Sequence, residues 1–369
     1  MIRSSCHCNL GRKASSKIYY KIRFVKSRSL LSALSLEPQD IPPIGLMRQA
    51  GRYLPEYQKI RQNFKNFLDM IKKPDICAEL AMQPINRFDL DASILFSDIL
   101  TIPSALGLGL EFGEGHGPVF SKPISSTEDI QRLPTEVPHE ELNYVYEAVL
   151  ATRKVLPSNI PLIGFCGSPW TLAAYSIEGK GSKDFHKTKK FITNYPKEVT
   201  ELLNTLTQAC FEYLKEQVKC GVEALQIFDS WADILSLQDF QNLSLNPTQK
   251  LVELLRKDKL TSEIPIILFE KAPPRDLTEL DLKNITCLSL HWSQNLVMTS
   301  ERFYGIKALQ GNLDPSILKN SDEEIEQAIQ YILNSMHGYP GFIFNLGHGI
   351  TPDIEPSKVQ LMIDLVRGN

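Results

Sequence analysis

The chain of 369 residues is 43% apolar and 22% charged, enough to bury a large core in one big domain or two modest ones. No run approaches about 18 consecutive apolar residues, which argues against a membrane-spanning helix. Eight of the 40 lysines and arginines lie in the first 36 residues, which contain no aspartate or glutamate, so the rest of the chain has 32 basic against 43 acidic side chains. Such an acidic body is a poor surface for nucleic acid, and an anionic ligand must be drawn by a local basic cleft rather than by the global field.

In chain order, residues 1–36 form a basic, serine-rich leader that resembles an organelle transit peptide; a plain disordered tail has the same composition. Cys6-His7-Cys8 is a weak metal signal, with no partner cluster nearby. Seven cysteines without a C-x-x-C pair fit reduced thiols in a cytosol-like compartment, with a plastid or other organelle as the alternative if the leader is a transit peptide.

After Asp40, short apolar runs recur at 41–47, 92–96, 160–165, 222–228, 264–269, 285–290, 306–309 and 341–345. Between them lie stretches with apolar residues at helical spacing, at 75–88, 140–155, 197–219, 247–257 and 322–336. Strand and helix alternating about eight times imply parallel strands with crossover helices. A single α/β domain over 37–369, a (β/α)8 TIM-type barrel, is the economical fold, and a doubly wound sheet is the alternative. Polar residues follow the runs: Arg48, Asp98, Ser168, Asp229-Ser230, Glu270, His291, Asn312 with Asp314, and His348. In a barrel they converge on the C-terminal mouth. Segments 103–123 and 177–190 lack periodicity and read as mouth loops.

Four stretches carry the chemistry. MRQAGRYLPEY (47–57) sets Arg48 and Arg52 around Gln49-Ala50-Gly51, at the end of a strand-like run. Two guanidiniums on such a turn make a clamp for carboxylate or phosphate, although surface ion pairs are the commoner fate of arginine. GFCGSPWTLAAYSIEG (164–179) offers Ser168 as an N-cap and Pro169 as the first helical residue, with Tyr175 two turns on, as a core or a cleft tyrosine. FSDIL places Asp98 after a strand, where it suits an N-cap or a ligand for NH-bearing rings. FDSW gives Asp229 and Ser230, which also read as a cap for 232–237, and NLGHG places His348 between two glycines, exposed to a ligand or as a structural loop histidine. Lys180, Lys183, Lys187, Lys189 and Lys190 read either as a basic loop that speeds capture of an anion or as a solvated helix start.

These stretches, with GNLDP (311–315), resemble the signatures of the uroporphyrinogen decarboxylase family in the same order from about Leu30 onward. The resemblance implies a cofactor-independent, metal-free carboxy-lyase, usually a homodimer, on a (β/α)8 barrel. Its reaction removes carbon dioxide from the four acetates of uroporphyrinogen III to give coproporphyrinogen III. The 48–52 turn (Arg48, Gln49, Ala50, Gly51, Arg52) would hold substrate, its two arginines pairing with carboxylates. Asp98 would accept the pyrrole NH groups, and Tyr175, Ser230 and His348 would touch the side chains; Asp98 and Arg48 would be the catalytic pair. Neither nucleic acid nor membrane is an implied partner. Gly45, Ser176, Glu270-Lys271-Ala272-Pro273 and His291 depart from the family pattern. Two rivals remain: a porphyrinogen-binding protein without turnover, and a methylcobamide:thiol methyltransferase of the same fold, whose zinc-binding H-x-C pair is missing at the corresponding strand ends.

Overall fold

The computed structural model describes residues 29–112, 117–271 and 283–369. Seven of the eight apolar runs form strands. In chain order these are β1 (Ser93–Ile94), β4 (Leu162–Gly167), β5 (Ala224–Asp229), β6 (Ile266–Glu270), β7 (Cys287–Leu290), β8 (Ala308–Leu313) and β9 (Phe342–Leu346), while β2 (Leu110–Phe112) and β3 (Pro118–Phe120) make a separate antiparallel hairpin. The seven form one curled parallel sheet in the order β1-β4-β5-β6-β7-β8-β9, so each strand returns beside its predecessor after a crossover. Residues of β4, β6, β7, β8 and β9 are buried throughout, as expected of strands covered on both faces.

The helices fall where the apolar spacing puts them: Pro74–Arg87, His139–Val155, Pro196–Lys219, Asn246–Lys257 and Asp322–Ser335. Local chemistry sets their starts. Ser321 accepts the Glu324 N–H while the Glu324 side chain returns to the Ser321 N–H, a capping box, and proline opens Pro74–Arg87 and Pro196–Lys219. The longest, Pro196–Lys219, buries Leu202, Leu203, Leu206 and Leu214 along one stripe, each contributing about 1.5–3 kcal/mol.

The expected eighth strand is different. Segment 41–47 contributes one bridge residue, Ile44, parallel to Phe344 of β9. Two backbone bonds flank that bridge, Gly45 N–H to Phe344 O at 3.1 Å and Phe344 N–H to Pro43 O at 2.9 Å. On the other side, Asp91 N–H reaches Ile44 O at 3.1 Å, and side chains take over from there. Asp91 Oδ2 accepts the Ile44 N–H at 2.7 Å, Gln49 Oε1 accepts the Ile94 N–H at 3.1 Å, and Gln49 Nε2 donates to Ala92 O at 3.1 Å. Asn345 Oδ1 accepts the Met47 N–H at 3.2 Å. The ladder expected for an eight-stranded barrel is replaced here by a side-chain seam.

Other boundaries also shift. Residues 29–34, placed by composition in the basic leader, form a helix (Ser29–Leu34) whose Leu30, Ala33 and Leu34 pack against Ala92, Ile163, Ala224, Ile267, Cys287, Ala308 and Ile343. The leader up to residue 28, with Cys6-His7-Cys8, lies outside the described residues, as do Ala272 and Pro273. Segment 177–190 is not all loop: a helix ends at Glu178 and another spans His186–Asn194. Strand β8 runs to Leu313, so Asn312 lies inside the strand rather than after it.

Asp91 joins three elements, accepting from Ser29 Oγ at 2.7 Å, from the Ile44 N–H and from Arg367 of the C-terminal helix. It is 3% exposed, so its removal would leave the buried Ile44 N–H unpaired and Arg367 with Asp89 as its remaining acidic partner. Asp91→Ala is expected to cost about 3–5 kcal/mol, read from the urea midpoint; an unchanged midpoint would contradict the role assigned to this residue.

Candidate active site

The C-terminal ends of the strands enclose an open cleft with ≈ 860 Å³ of empty space, lined by Arg48, Gln49, Ala50, Asp98, Ser230 and His348 among others. Six of the nine site residues expected from sequence thus share one cavity. The other three stand apart from its lining. Gly51 closes the turn, its carbonyl accepting the Leu54 N–H at 3.0 Å. Arg52 is exposed and does not line the cavity. Tyr175 is near it, its ring 6.0 Å from Trp231 and close enough that the charges of Asp98 and Arg48 act on its hydroxyl.

Arg48 occupies the left-handed region at φ 58°, uncommon for a non-glycine residue and frequent at functional turns. Its side chain lies along Gly349, where an added Cβ would collide with Arg48 Cδ and Cγ; the neighbouring Gly347 approaches the Trp292 backbone just as closely. The glycines around His348 are therefore explained by close contact. Gln49 is 1% exposed, and its amide bonds to Ala92 and Ile94 at β1, so its side chain builds the turn rather than reaching freely toward a ligand.

Asp98 follows β1. Its Oδ1 accepts the Leu100 N–H at 2.8 Å, closing a turn, and no hydrogen bond engages the other oxygen among the described residues. Burial raises its pKa, opposed by the Leu100 N–H and the Arg48 guanidinium. His348 is pushed down to about 4, first by burial and then by the positive charges of Arg48, His291 and Lys271. At neutral pH its imidazole is uncharged, a hydrogen-bond partner rather than a cation.

Ser230 receives its position from the helix Pro169–Glu178: its N–H donates to Thr171 Oγ1 at 2.9 Å. Ser168 caps that helix by accepting the Thr171 N–H at 3.0 Å, as the sequence predicts. Asp229, in contrast, does not cap 232–237. It is buried, accepts from Thr171 Oγ1 and Ser244 Oγ, and is a framework residue.

Sequence reasoning missed the aromatic wall. Phe165, Phe228 and Phe269 on three neighbouring strands line the cleft, with ring centroids 5.7 and 6.0 Å apart in succession, and Phe269 lies 6.0 Å from His348. The signal was present: three consecutive strands carry Phe close to their C-terminal ends, in Gly164-Phe165, Ile227-Phe228 and Leu268-Phe269. Of the departures from the family pattern, Gly45 faces Leu30, whose Cδ1 lies 3.6 Å from where a Cβ would stand. His291 is buried beside His348, centroids 6.1 Å apart, its Nδ1 accepting from the Ser293 N–H.

A cleft at the strand ends of a parallel α/β sheet, with apolar walls, one arginine and one carboxylate in its lining, has the place and make-up of a ligand site in such folds. Comparison with known proteins is more specific. The family model for uroporphyrinogen decarboxylase (URO-D) matches residues 26–368. A uroporphyrinogen decarboxylase from Pseudoalteromonas atlantica is 44% identical over 342 residues, covering 93% of this chain and 96% of that protein. One from Tolumonas auensis is 42% identical over the same shares. The chain belongs to the uroporphyrinogen decarboxylase family. Among solved structures, a methyltransferase from Methanosarcina mazei superposes with a TM-score of 0.70 at 18% identity, covering 93% of this chain and 98% of that one. At that identity the likeness concerns the fold alone. Among the described residues no group of three or more His, Cys, Asp or Glu is arranged to hold a metal.

Two outcomes follow. Gly349→Ala should displace the Arg48 side chain and raise KM at least tenfold with the fold retained, as read by steady-state kinetics and circular dichroism; an unchanged KM would remove Arg48 from ligand binding. Because the folded-state pKa of His348 lies below the ordinary 6.5, the unfolded chain alone takes up this proton between about pH 6.5 and 4. Stability contributed by neutral His348 is therefore present above pH 6.5 and lost as pH falls toward 4. NMR should find the ring still neutral at pH 5; a midpoint near 6.5 would contradict its burial.

Proposed function

We propose that this protein decarboxylates the four acetate side chains of uroporphyrinogen III, giving coproporphyrinogen III in heme biosynthesis. Membership of the family carries this reading, and the cleft supports it: its apolar walls suit a macrocycle, and its charged turn suits the carboxylates around it. Arg48 and Arg52 pair with substrate carboxylates, and Asp98 receives the pyrrole NH groups at the macrocycle centre. Backbone of the Gln49-Ala50-Gly51 turn lies against the substrate edge, while Tyr175, Ser230 and neutral His348 contact side chains.

The chemistry needs an electron sink. A proton added to the ring carbon beside the acetate makes the pyrrole a cationic, iminium-like ring. The C–C bond then breaks, its electrons neutralise the ring, and carbon dioxide leaves. A second proton converts the exocyclic methylene to methyl, and loss of the ring proton restores the pyrrole, so one proton is consumed overall. A carboxylate fixed beneath the NH groups is worth most while the ring is cationic, which makes Asp98 a transition-state stabiliser. Burial raises the Asp98 pKa against the opposing Leu100 N–H and Arg48 guanidinium, so its carboxylate takes up a proton more readily than an exposed aspartate does. The macrocycle supplies the sink itself, so this mechanism uses no metal or organic cofactor.

Extending the architecture, the seam on both sides of Ile44 supports a closed (β/α)8 ring. Homodimeric assembly and a cytoplasmic site of action complete the proposal, with an organelle as the alternative if residues 1–36 act as a transit peptide.

Anaerobic incubation with uroporphyrinogen III in the presence of a chelator tests the reading. Wild type should release coproporphyrinogen, and Asp98→Asn should lose about 100- to 1000-fold in kcat. The acid limb of the wild-type profile should lie above the usual aspartate range, following the direction of the Asp98 shift. Tight binding without product in the wild type would favour the binding protein without turnover.

A further inference from the structure

Beside the cleft stands a basic surface that the mechanism does not use. Lys180, Lys183, Lys187, Lys189 and Lys190 are all exposed, and none has a carboxylate within ion-pair distance among the described residues. Elsewhere the body is acidic, so five lysines against one acid, Asp184, in eleven positions are a local reversal of charge. Several of them also occupy positions that a helix disfavours. The helix His186–Asn194 has no acidic residue in its first turn and carries Lys187, Lys189 and Lys190 near its positive end. A local rule broken without structural compensation points to function.

The segment is pinned to residues that adjoin the cleft-lining ones in the chain or in space. Phe185 is fully buried at φ 49°, its ring 4.7 Å from that of Trp231, which follows the cleft-lining Ser230. Thr188 donates twice to Glu178 Oε2, at 3.1 Å from both its N–H and its Oγ1. At Gly181 a Cβ would stand 3.8 Å from the Tyr175 hydroxyl, which places the start of the segment beside a tyrosine within electrostatic reach of Asp98 and Arg48. A pinned segment keeps its charges in place, and fixed charge beside a low-dielectric cleft focuses the field at the entrance.

We propose that residues 180–190 form a capture rim that steers the polycarboxylate macrocycle into the cleft, acting on association and not on the chemical step. The inference rests on the function proposed above, and its test separates the two. The probe is uroporphyrin, the oxidised octacarboxylate, whose fluorescence reports binding in stopped flow without turnover. The variant is Lys183→Gln/Lys187→Gln/Lys190→Gln. Its control is Lys257→Gln/Lys259→Gln/Lys283→Gln, which removes equal charge from exposed sites ahead of β6 and β7, at the opposite end of the strands.

At low ionic strength the rim variant should associate about 3- to 10-fold more slowly. That gap should close in high salt, with kcat on uroporphyrinogen III unchanged and the control variant behaving as wild type. A rim variant with the wild-type association rate and salt dependence would overturn the proposal, as would an equal slowing of the control or failure of wild type to bind uroporphyrin. Wild type that binds uroporphyrin but releases no coproporphyrinogen would remove the decarboxylase reading, and the association rates would still decide the rim.

Discussion

The arrangement depends on a seam of side-chain hydrogen bonds along segment 41–47. A regular ladder would fix the backbone of this segment as a strand up to its last residue. Asp91, Gln49 and Asn345 instead hold it at chosen points, and beyond Met47 the chain is free to turn. The turn puts Arg48 into a left-handed conformation and lays its side chain along Gly349. Gln49 bonds to the backbone on both sides of Ser93, so the element bearing the arginines is tied to the strand that leads to Asp98. Cation and carboxylate are thus positioned by a shared framework.

That pairing has electrostatic consequences throughout the cleft. Burial works against the charged form of two groups in the cavity, pushing Asp98 up and His348 down. Arg48 offsets the first effect and reinforces the second, so one guanidinium favours an ionised aspartate and a neutral histidine together. The phenylalanine row on β4, β5 and β6 keeps water from one wall of the cleft and makes each of these interactions stronger than it would be in solvent. Such a site disfavours isolated charge on its own side chains.

Much of this was legible in the sequence, because burial on both faces makes parallel strands read as plain apolar runs, and seven such runs are strands. The five long amphipathic stretches are helices within two residues of their expected limits at each end. Segment 41–47 was misread because side chains there do the work of backbone, and periodicity carries no record of that substitution. Strand β8 was cut short for a similar reason: Gln310 and Asn312 look like loop residues, yet both are buried and hydrogen-bonded, to Ser289 and to backbone carbonyls. Helix Ser29–Leu34 was hidden by the basic composition around it. In the site, Arg48, Asp98, Ser230 and His348 stood out because polar residues at strand ends have little structural reason to be there. The wall of phenylalanines did not, since an apolar residue at a strand end is read as core.

The most direct measurement is a structure of the protein with coproporphyrinogen bound under anaerobic, reducing conditions. The account predicts the macrocycle within the cleft, its pyrrole nitrogens within about 2.7–3.2 Å of the Asp98 carboxylate, and peripheral carboxylates facing Arg48 and Arg52. A macrocycle bound elsewhere, or one with Asp98 outside hydrogen-bond reach of its nitrogens, would contradict it.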